Sequence, residues 1–340
     1  MFVAHMNLLI LFLFTSLATF ALTYLLKTFL LSKDLLVFPN DRSSHKKPTP
    51  QSGGLAIVLI SISLFFVNDL NISFLLTLAV PGILVAITGL ADDLTKLSTS
   101  VRLITHFLAA ILGLYMLEGL PPILFFGNLI DLGIIGNVLA VIYIVWMINL
   151  YNFMDGIDGL ASLEAIFVFL SMSVLLFMTF YDSNLYIVLA FFGFSSLGFL
   201  FLNFPKPRIF LGDVGSGFLG VILAIISLEV AKHSPQAFWS FLILLGVFLV
   251  DATYTLIRRV LNGEKFYEAH SLHAYQKLAR SFNSHNKVSI IILLLNMVWL
   301  LPIAILVAFE NLEGIVGLVI AYLPLVLISY FSGAGVRNTS

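Results

Sequence analysis

Residues 185–203 read LYIVLAFFGFSSLGFLFLN, a run without a single charged side chain, and residues 203–217 follow as NFPKPRIFLGDVGSG. A transmembrane helix needs about 20 consecutive apolar residues, so the first stretch predicts a membrane span. The second packs two cations, an aspartate and three glycines into a short connection. That alternation of an apolar rod and a polar link recurs along the whole chain. We read about eleven spans, at 6–31, 54–70, 72–90, 101–118, 132–150, 160–181, 185–203, 210–231, 237–258, 288–308 and 313–331. The composition demands the same answer. Of 340 residues, 60% are hydrophobic and 10% charged, whereas a soluble domain carries about 25% charged residues. So few charges cannot cover a water-exposed surface of this size. The fold class is all-α, a polytopic integral membrane protein, with 1–340 forming one transmembrane catalytic domain. The first apolar segment reads as a retained anchor, because it lacks a small-residue cleavage pattern.

Basic residues fix the expected orientation. Threading the spans puts Lys33, Arg42, Lys46, Lys47, Lys96, Arg102, Lys206, Arg208, Arg258, Arg259, Lys265, Lys277, Arg280, Lys287 and Arg337 on one side. The other side receives Lys232. The first side is therefore expected to be cytoplasmic, with the N-terminus outside and the C-terminus inside. Net charge is −1, so global electrostatics gives no reason to expect a nucleic-acid partner. With no cysteine, disulfides, thiolate zinc sites and a cysteine nucleophile are excluded.

The polar segments gather on that same side, as candidate active-site loops at about 32–53, 91–101, 149–159, 203–217 and 259–287. A charge at bilayer depth costs about 2.5–3.5 kcal/mol or more, so carboxylates at the inner helix ends need a reason. Asp92 and Asp93 are adjacent and followed by Lys96. Two carboxylates about 4 Å apart repel by about 4 kcal/mol at an effective dielectric near 20, which a divalent cation or a shared proton removes. The lysine adds an ammonium for phosphoryl oxygens. Asn149, Asn152, Asp155 and Asp158 recur every third residue, with Gly156 and Gly159 between and after the aspartates. On a regular helix that spacing spreads the four over half the circumference. The glycines predict that the helix ends here and lets the side chains converge.

Gly212, Asp213, Gly215, Ser216 and Gly217 offer backbone N–H groups to an anion and a hard oxygen ligand to a metal, although Gly217 and Gly220 also suit close helix packing. Asp213 could equally cap a helix. His270 and His273 stand in the longest inner loop, beside Arg258 and Arg259. Zinc would need further nitrogen or sulfur ligands, and none lies nearby in sequence, so the pair suits a diphosphate better. If protonated, these histidines would lose donor affinity as pH rises through about 6.5. The basic loop around Asp41, Lys46 and Lys47 is framed by Pro48, Pro50, Gly53 and Gly54. Asp251, inside an apolar span, either supports the site or is neutralised by another helix. Together these features point to metal-assisted chemistry at a phosphorylated lipid head group. A membrane transporter is the alternative class, but transporters place such carboxylates at the midplane between repeats, and no repeat is visible here.

From Asp41 to Arg280, in order, these motifs resemble the polyprenyl-phosphate N-acetylhexosamine-1-phosphate transferases of glycosyltransferase family 4. The resemblance implies transfer of a sugar 1-phosphate from a UDP-sugar to undecaprenyl phosphate, with release of UMP. It implies Mg²⁺ as cofactor, with Mn²⁺ as a substitute, and a cytoplasmic site in a multi-pass protein of the bacterial inner membrane. By the same resemblance Asp92 and Asp93 are catalytic. Asp155 and Asp213 are metal ligands. Lys47, Lys96, Asn152, Asp158, His270 and His273 bind substrate. The implied partners are a UDP-N-acetylhexosamine, undecaprenyl phosphate and the lipid bilayer, with a homodimer allowed and no nucleic acid. Many relatives carry more consecutive histidines where this chain reads His-Ser-Leu-His-Ala-Tyr-Gln. That departure and Glu164 look like the branch that initiates lipopolysaccharide O-antigen with GlcNAc or an N-acetylated 6-deoxyhexose. The alternative within the family is the phospho-N-acetylmuramoyl-pentapeptide transferase of peptidoglycan synthesis.

Overall fold

The computed structural model describes residues 2–38, 48–67, 70–179, 184–265 and 270–337. The helices are α1 (Phe2–Ser32), α2 (Leu55–Ser61), α3 (Ile72–Thr95), α4 (Thr99–Met116), α5 (Gly133–Met154), α6 (Leu160–Thr179) and α7 (Leu185–Asn203). They continue with α8 (Gly212–His233), α9 (Pro235–Leu244), α10 (Gly246–Leu261), α11 (Ala274–Ser281), α12 (His285–Leu295), α13 (Leu301–Ala308) and α14 (Gly314–Phe331). Two short antiparallel ladders accompany them: β1 (Leu36–Val37) with β2 (Thr49–Pro50), and β3 (Ile123–Phe125) with β4 (Asn128–Ile130). Helix starts follow local chemistry. Asn71, Ser98, Ser234, Ser284 and Glu313 each accept a backbone N–H in the first turn of the helix they precede.

Among the described residues, nine helices are long and apolar enough to cross a membrane: α1, α3 to α8, the rod from α12 to α13, and α14. Two of the eleven expected spans come out differently. The span at 237–258 is the pair α9 and α10, bent by 68°. Apolar content is the same for a straight and a bent rod, so the bend was invisible in sequence. The span at 54–70 is α2 followed by a 3-10 turn at Ile62–Phe66. At their respective rises the two cover about 20 Å, short of a hydrocarbon core of about 30 Å.

The centre of the bundle is α8, 94% buried, with α3 and α5 packed against it. Glycines allow that approach. A Cβ on Gly220 would stand 2.7 Å from the Met147 carbonyl oxygen of α5, and one on Gly217 would stand 2.9 Å from Val85 of α3, the close packing expected for these two residues. The outer surface is the reverse of a soluble protein's. Phe14, Ile104, Ile134, Val298 and Phe331 are all exposed, as lipid solvent permits. Charges gather at one end of the bundle, where α3, α5 and α10 finish and α8 begins.

Candidate active site

Three chain segments meet on one carboxylate. Asp93, near the end of α3, accepts at Oδ1 from the Gln51 side chain and from the Asp213 N–H at 2.9 Å. Its Oδ2 accepts from Ser52 Oγ at 2.7 Å and from the Val214 N–H at 3.4 Å. Gly212 makes the junction sterically feasible. Its φ is +77°, and a Cβ there would stand 2.5 Å from Asp93 Oδ2 and 2.7 Å from the Ser52 nitrogen. The N-terminus of α8 is thus seated on a negative charge, which its dipole favours.

Asp92 has a different environment. Its Oδ1 accepts from the Leu97 N–H at 2.6 Å, and its Oδ2 from Arg102 Nη1 at 3.0 Å. The same Arg102 nitrogen lies 3.6 Å from Asp213 Oδ2. The two neighbouring aspartates are therefore relieved by separate donors, not by one proton shared between them. Lys96 turns the chain between α3 and α4 in the left-handed region, at φ +54°, and its side chain is exposed. Lys47 lies outside the described residues.

As the glycines predicted, α5 stops at Met154, and Asp155 follows as its C-cap. The four oxygen-bearing residues then diverge. Asn149 turns back onto the Val145 carbonyl at 2.7 Å. Asn152 Nδ2 donates to Asp213 Oδ1 at 2.8 Å and to Ser216 Oγ at 3.1 Å. Asp155 lies where burial, together with the charges of Asp213 and Asp93, pushes its carboxyl well above the usual carboxylate range. Asp158 faces away from them and pairs with His285 Nδ1 at 3.2 Å. Sequence gave His285 no role.

A cavity of about 540 Å³ opens at this end. Its lining is partly apolar, with Leu103, Phe107, Ile142, Val145, Trp146 and Leu256, and partly polar, with Arg102, His106, Asn149, Asn152, Asp213, His270, His273 and Gln276. Arg102 is the one Lys or Arg among the described lining residues. Sequence reading counted it as an orienting charge and missed it as a site residue. Its signal was faint: a cation ten positions after Asp92, on the helix that Ser98 starts. His106 was given no site role, and neither were Tyr275 and Gln276, although they stand in the His-Ser-Leu-His-Ala-Tyr-Gln run. Gln51 and Ser52 lie within the candidate loop at 32–53 but were assigned nothing.

The histidine loop is held from behind by Asp251. Its Oδ1 accepts from the Ala274 N–H at 2.8 Å and its Oδ2 from the Tyr275 N–H at 2.9 Å, while Thr255 donates at 3.1 Å. Asp251 therefore caps α11 from α10. Tyr275 carries the grip onward by donating to the Phe153 carbonyl at 2.8 Å, with its hydroxyl packed directly on Gly156. Losing a helix cap costs about 1 kcal/mol, or about 2–4 °C in a protein of this size class. Asp251→Ala is expected to lower Tm by that much and turnover by about tenfold or more, because misplacing site residues costs rate steeply. A large fall in Tm with turnover preserved would leave Asp251 a purely structural residue.

The expected protonated histidine is not what His270 provides. Burial, the neighbouring His273 and the Arg259 charge push its pKa down to about 3, so it is neutral near pH 7. Donor affinity should accordingly stay level through pH 6.5 as far as His270 is concerned. Stability carries the pH signature instead. Between the folded pKa of about 3 and the unfolded value near 6.5, the unfolded chain binds the extra proton, so stability falls as pH falls. Tm measured from pH 7 to pH 5 should drop less in His270→Gln than in the wild type; equal drops would remove His270 as the cause.

Arg258 and Arg259 serve the scaffold. Arg259 is fully buried and bonds Glu264 at 2.8 Å and the Lys265 carbonyl at 3.1 Å.

Comparison with known proteins agrees with this geometry. The family profile described as "Glycosyl transferase family 4" matches residues 74–231, from the start of α3 to near the end of α8. A Bacillus subtilis protein named "Probable undecaprenyl-phosphate N-acetylglucosaminyl 1-phosphate transferase" is 28% identical over 274 residues, 77% of this chain and 74% of its own length. A Methanocaldococcus jannaschii protein named "Putative glycosyltransferase MJ1113" is 30% identical over 231 residues, 66% of this chain and 68% of its own. A phospho-N-acetylmuramoyl-pentapeptide-transferase of a Wolbachia endosymbiont of Brugia malayi is 26% identical over 242 residues, 66% of this chain and 72% of its own. The chain belongs to glycosyltransferase family 4, the family of the membrane-embedded polyprenyl-phosphate N-acetylhexosamine-1-phosphate transferases.

Proposed function

We propose that the protein transfers an N-acetylhexosamine 1-phosphate from a UDP-sugar to undecaprenyl phosphate at the cytoplasmic face of a bacterial inner membrane, releasing UMP. The observation that carries this reading is the cavity lined by both apolar side chains and Asp213 with Arg102, the guanidinium that also holds Asp92. An isoprenoid chain suits the first and a phosphate at its end suits the second. The names of the Bacillus subtilis and Wolbachia relatives support the reaction class. The missing run of histidines favours GlcNAc or an N-acetylated 6-deoxyhexose as the sugar, and thus the initiating step of O-antigen or a related envelope glycan.

The residues present fit Mg²⁺, or Mn²⁺ in its place. Arg102 stands beside Asp92 and Asp213, and Asp155 lies close enough to Asp213 to feel its charge, so Asp155 and Asp213 bring two hard-oxygen groups together. No group of three His, Cys, Asp or Glu among the described residues is arranged to enclose a metal. Asp155 and Asp213 would hold the ion with help from substrate phosphates and water, as Mg²⁺ is commonly held. When bound, the ion supplies charge neutralisation on the donor diphosphate.

The chain's own groups do the rest. Asp92, with fewer donors on it than Asp93, takes the proton from the lipid phosphate. A lipid phosphate oxygen then bonds to the sugar-linked phosphorus, and that phosphorus loses its bond to the bridging oxygen, which leaves with UMP. Arg102 can exchange a carboxylate partner for a phosphate oxygen. Asp93 keeps the start of α8, and so Asp213, in register. His270, His273 and Gln276 face the donor from the loop.

The test is UMP release from purified protein with undecaprenyl phosphate and a panel of donors, with Mg²⁺ or with EDTA. The panel holds UDP-GlcNAc, a UDP-N-acetylated 6-deoxyhexose and UDP-MurNAc-pentapeptide. Release from one of the first two, lost with EDTA, is expected. Release from the pentapeptide donor alone would move the protein to peptidoglycan synthesis, and none from any donor would overturn the reading.

A further inference from the structure

The segment that follows α14 does not leave the bundle. It turns back through Gly333 and Gly335, at φ +73° and +74°, and lies across the rear of the histidine loop. The Gly335 N–H donates to the Leu272 carbonyl at 2.9 Å, next to His273. Lys277 Nζ donates to the Val336 carbonyl at 2.7 Å, and Arg258 Nη1 to the Ala334 carbonyl at 3.1 Å. Arg337 pairs with Glu264 at 3.0 Å, and Glu264 also holds Arg259. The Arg258 guanidinium stands 5.9 Å from the Tyr254 ring and 5.6 Å from the Tyr330 ring, which ties α10 to α14. Ala334 is fully buried beneath these contacts.

Three backbone groups of one short segment thus bond residues of both α10 and the α11 loop. Leu272 and Lys277 bracket His273, Tyr275 and Gln276, which line the cavity together with His270. Solvation alone would not draw a polar tail into such contacts, since its carbonyls could bond to water. We propose that residues 333–337 are a strap that positions the 270–276 loop and thereby sets affinity for the nucleotide-sugar donor. The strap touches no substrate; it acts through Leu272, Lys277 and Arg258. The donor assignment rests on the reaction proposed above, whereas the mechanical coupling of strap to loop does not. Gly335 is where the strap is most vulnerable. A Cβ there would stand 2.9 Å from Arg258 Cβ and 3.1 Å from the Thr255 carbonyl oxygen, on a backbone that side chains rarely adopt.

Two variants test it, Gly335→Val and the gentler Lys277→Met, with Lys277→Arg as the conservative control. Each disruptive variant should raise the donor KM about tenfold, the scale of one lost charge-assisted hydrogen bond. The undecaprenyl phosphate KM should stay level, and Lys277→Arg should restore most of the donor affinity. Hydrogen–deuterium exchange should accelerate at amides 270–277 and remain unchanged in α8. Unchanged exchange in that loop, or equal shifts in both KM values, overturns the strap. A wild-type protein that releases no UMP would sink the proposed reaction instead, and the exchange measurement would still decide the strap.

Discussion

Asp213→Asn inserts and folds like the wild type and turns over at least about a hundredfold more slowly, the scale seen when a preorganised electrostatic group is removed. Folding survives because asparagine keeps the oxygen that accepts from Asn152 at 2.8 Å and leaves untouched the N–H that donates to Asp93. What disappears is one negative charge at the mouth of the cavity, 3.6 Å from Arg102. That charge is half of the carboxylate pair assigned to Mg²⁺. Without it Arg102 is expected to settle on Asp92 alone and hold that base in its resting pair. UMP release at saturating substrate and Mg²⁺, read beside a melting curve in detergent, checks the result. Turnover within a few-fold of wild type at an unchanged Tm would take Asp213 out of the chemistry.

Gly89→Ala should do comparable damage with one methyl group. The added Cβ would collide with the backbone carbonyl of Asp213, which cannot swing aside as a side chain could. Either α3 or the first turn of α8 must move. Overpacking of this kind costs about 1–3 kcal/mol, or about 2–4 °C per kcal/mol. The loss of rate should be larger in proportion. A displacement of about 1 Å in a positioned group can cost about a hundredfold, and this contact sits on the peptide that carries Asp213. The Tm and UMP release of Gly89→Ala, beside Gly82→Ala on the same helix, separate the two effects. Gly82 faces only the side chains of Phe218 and Ile222, so its variant should lose stability without a matching loss of rate. Equal loss of rate in both variants would show that helix packing in general, not the α3–α8 contact at the site, limits turnover.

Much of the architecture was legible because lipid leaves little choice. Apolar runs must be helices there, and the run at 185–203 is α7 to the residue. What failed was length and straightness. The α2 segment tightens into a 3-10 turn at Ile62–Phe66, and the 68° bend between Leu244 and Gly246 has no apolar signature. At the site, sequence revealed residues whose type is costly in a membrane. Asp92, Asp93, Asp155 and Asp213 all reach one end of the bundle. It did not reveal how the labour divides among them, because that depends on donors distant in sequence. Asp93 is saturated by groups at 51–52 and 213–214. Asp158 looked equivalent to Asp155 in spacing, yet it lies in the non-helical link between α5 and α6 and pairs with His285. Arg102 was hidden by the very rule from which an orientation is expected, since a cation near a helix end needs no further explanation under it.

The knot on Asp93 also sets an order of events during synthesis. Chains emerge N-terminus first, at about 5–20 residues per second. When α3 has entered the bilayer, Gln51 and Ser52 are already made, but the two peptide N–H groups that complete the shell of Asp93 lie 120 and 121 residues further on. For several seconds at those rates the growing protein carries a half-solvated charge at the membrane edge. A chain that ends between α3 and α8 lacks those two donors, and its Asp93 is left with Gln51, Ser52 and water.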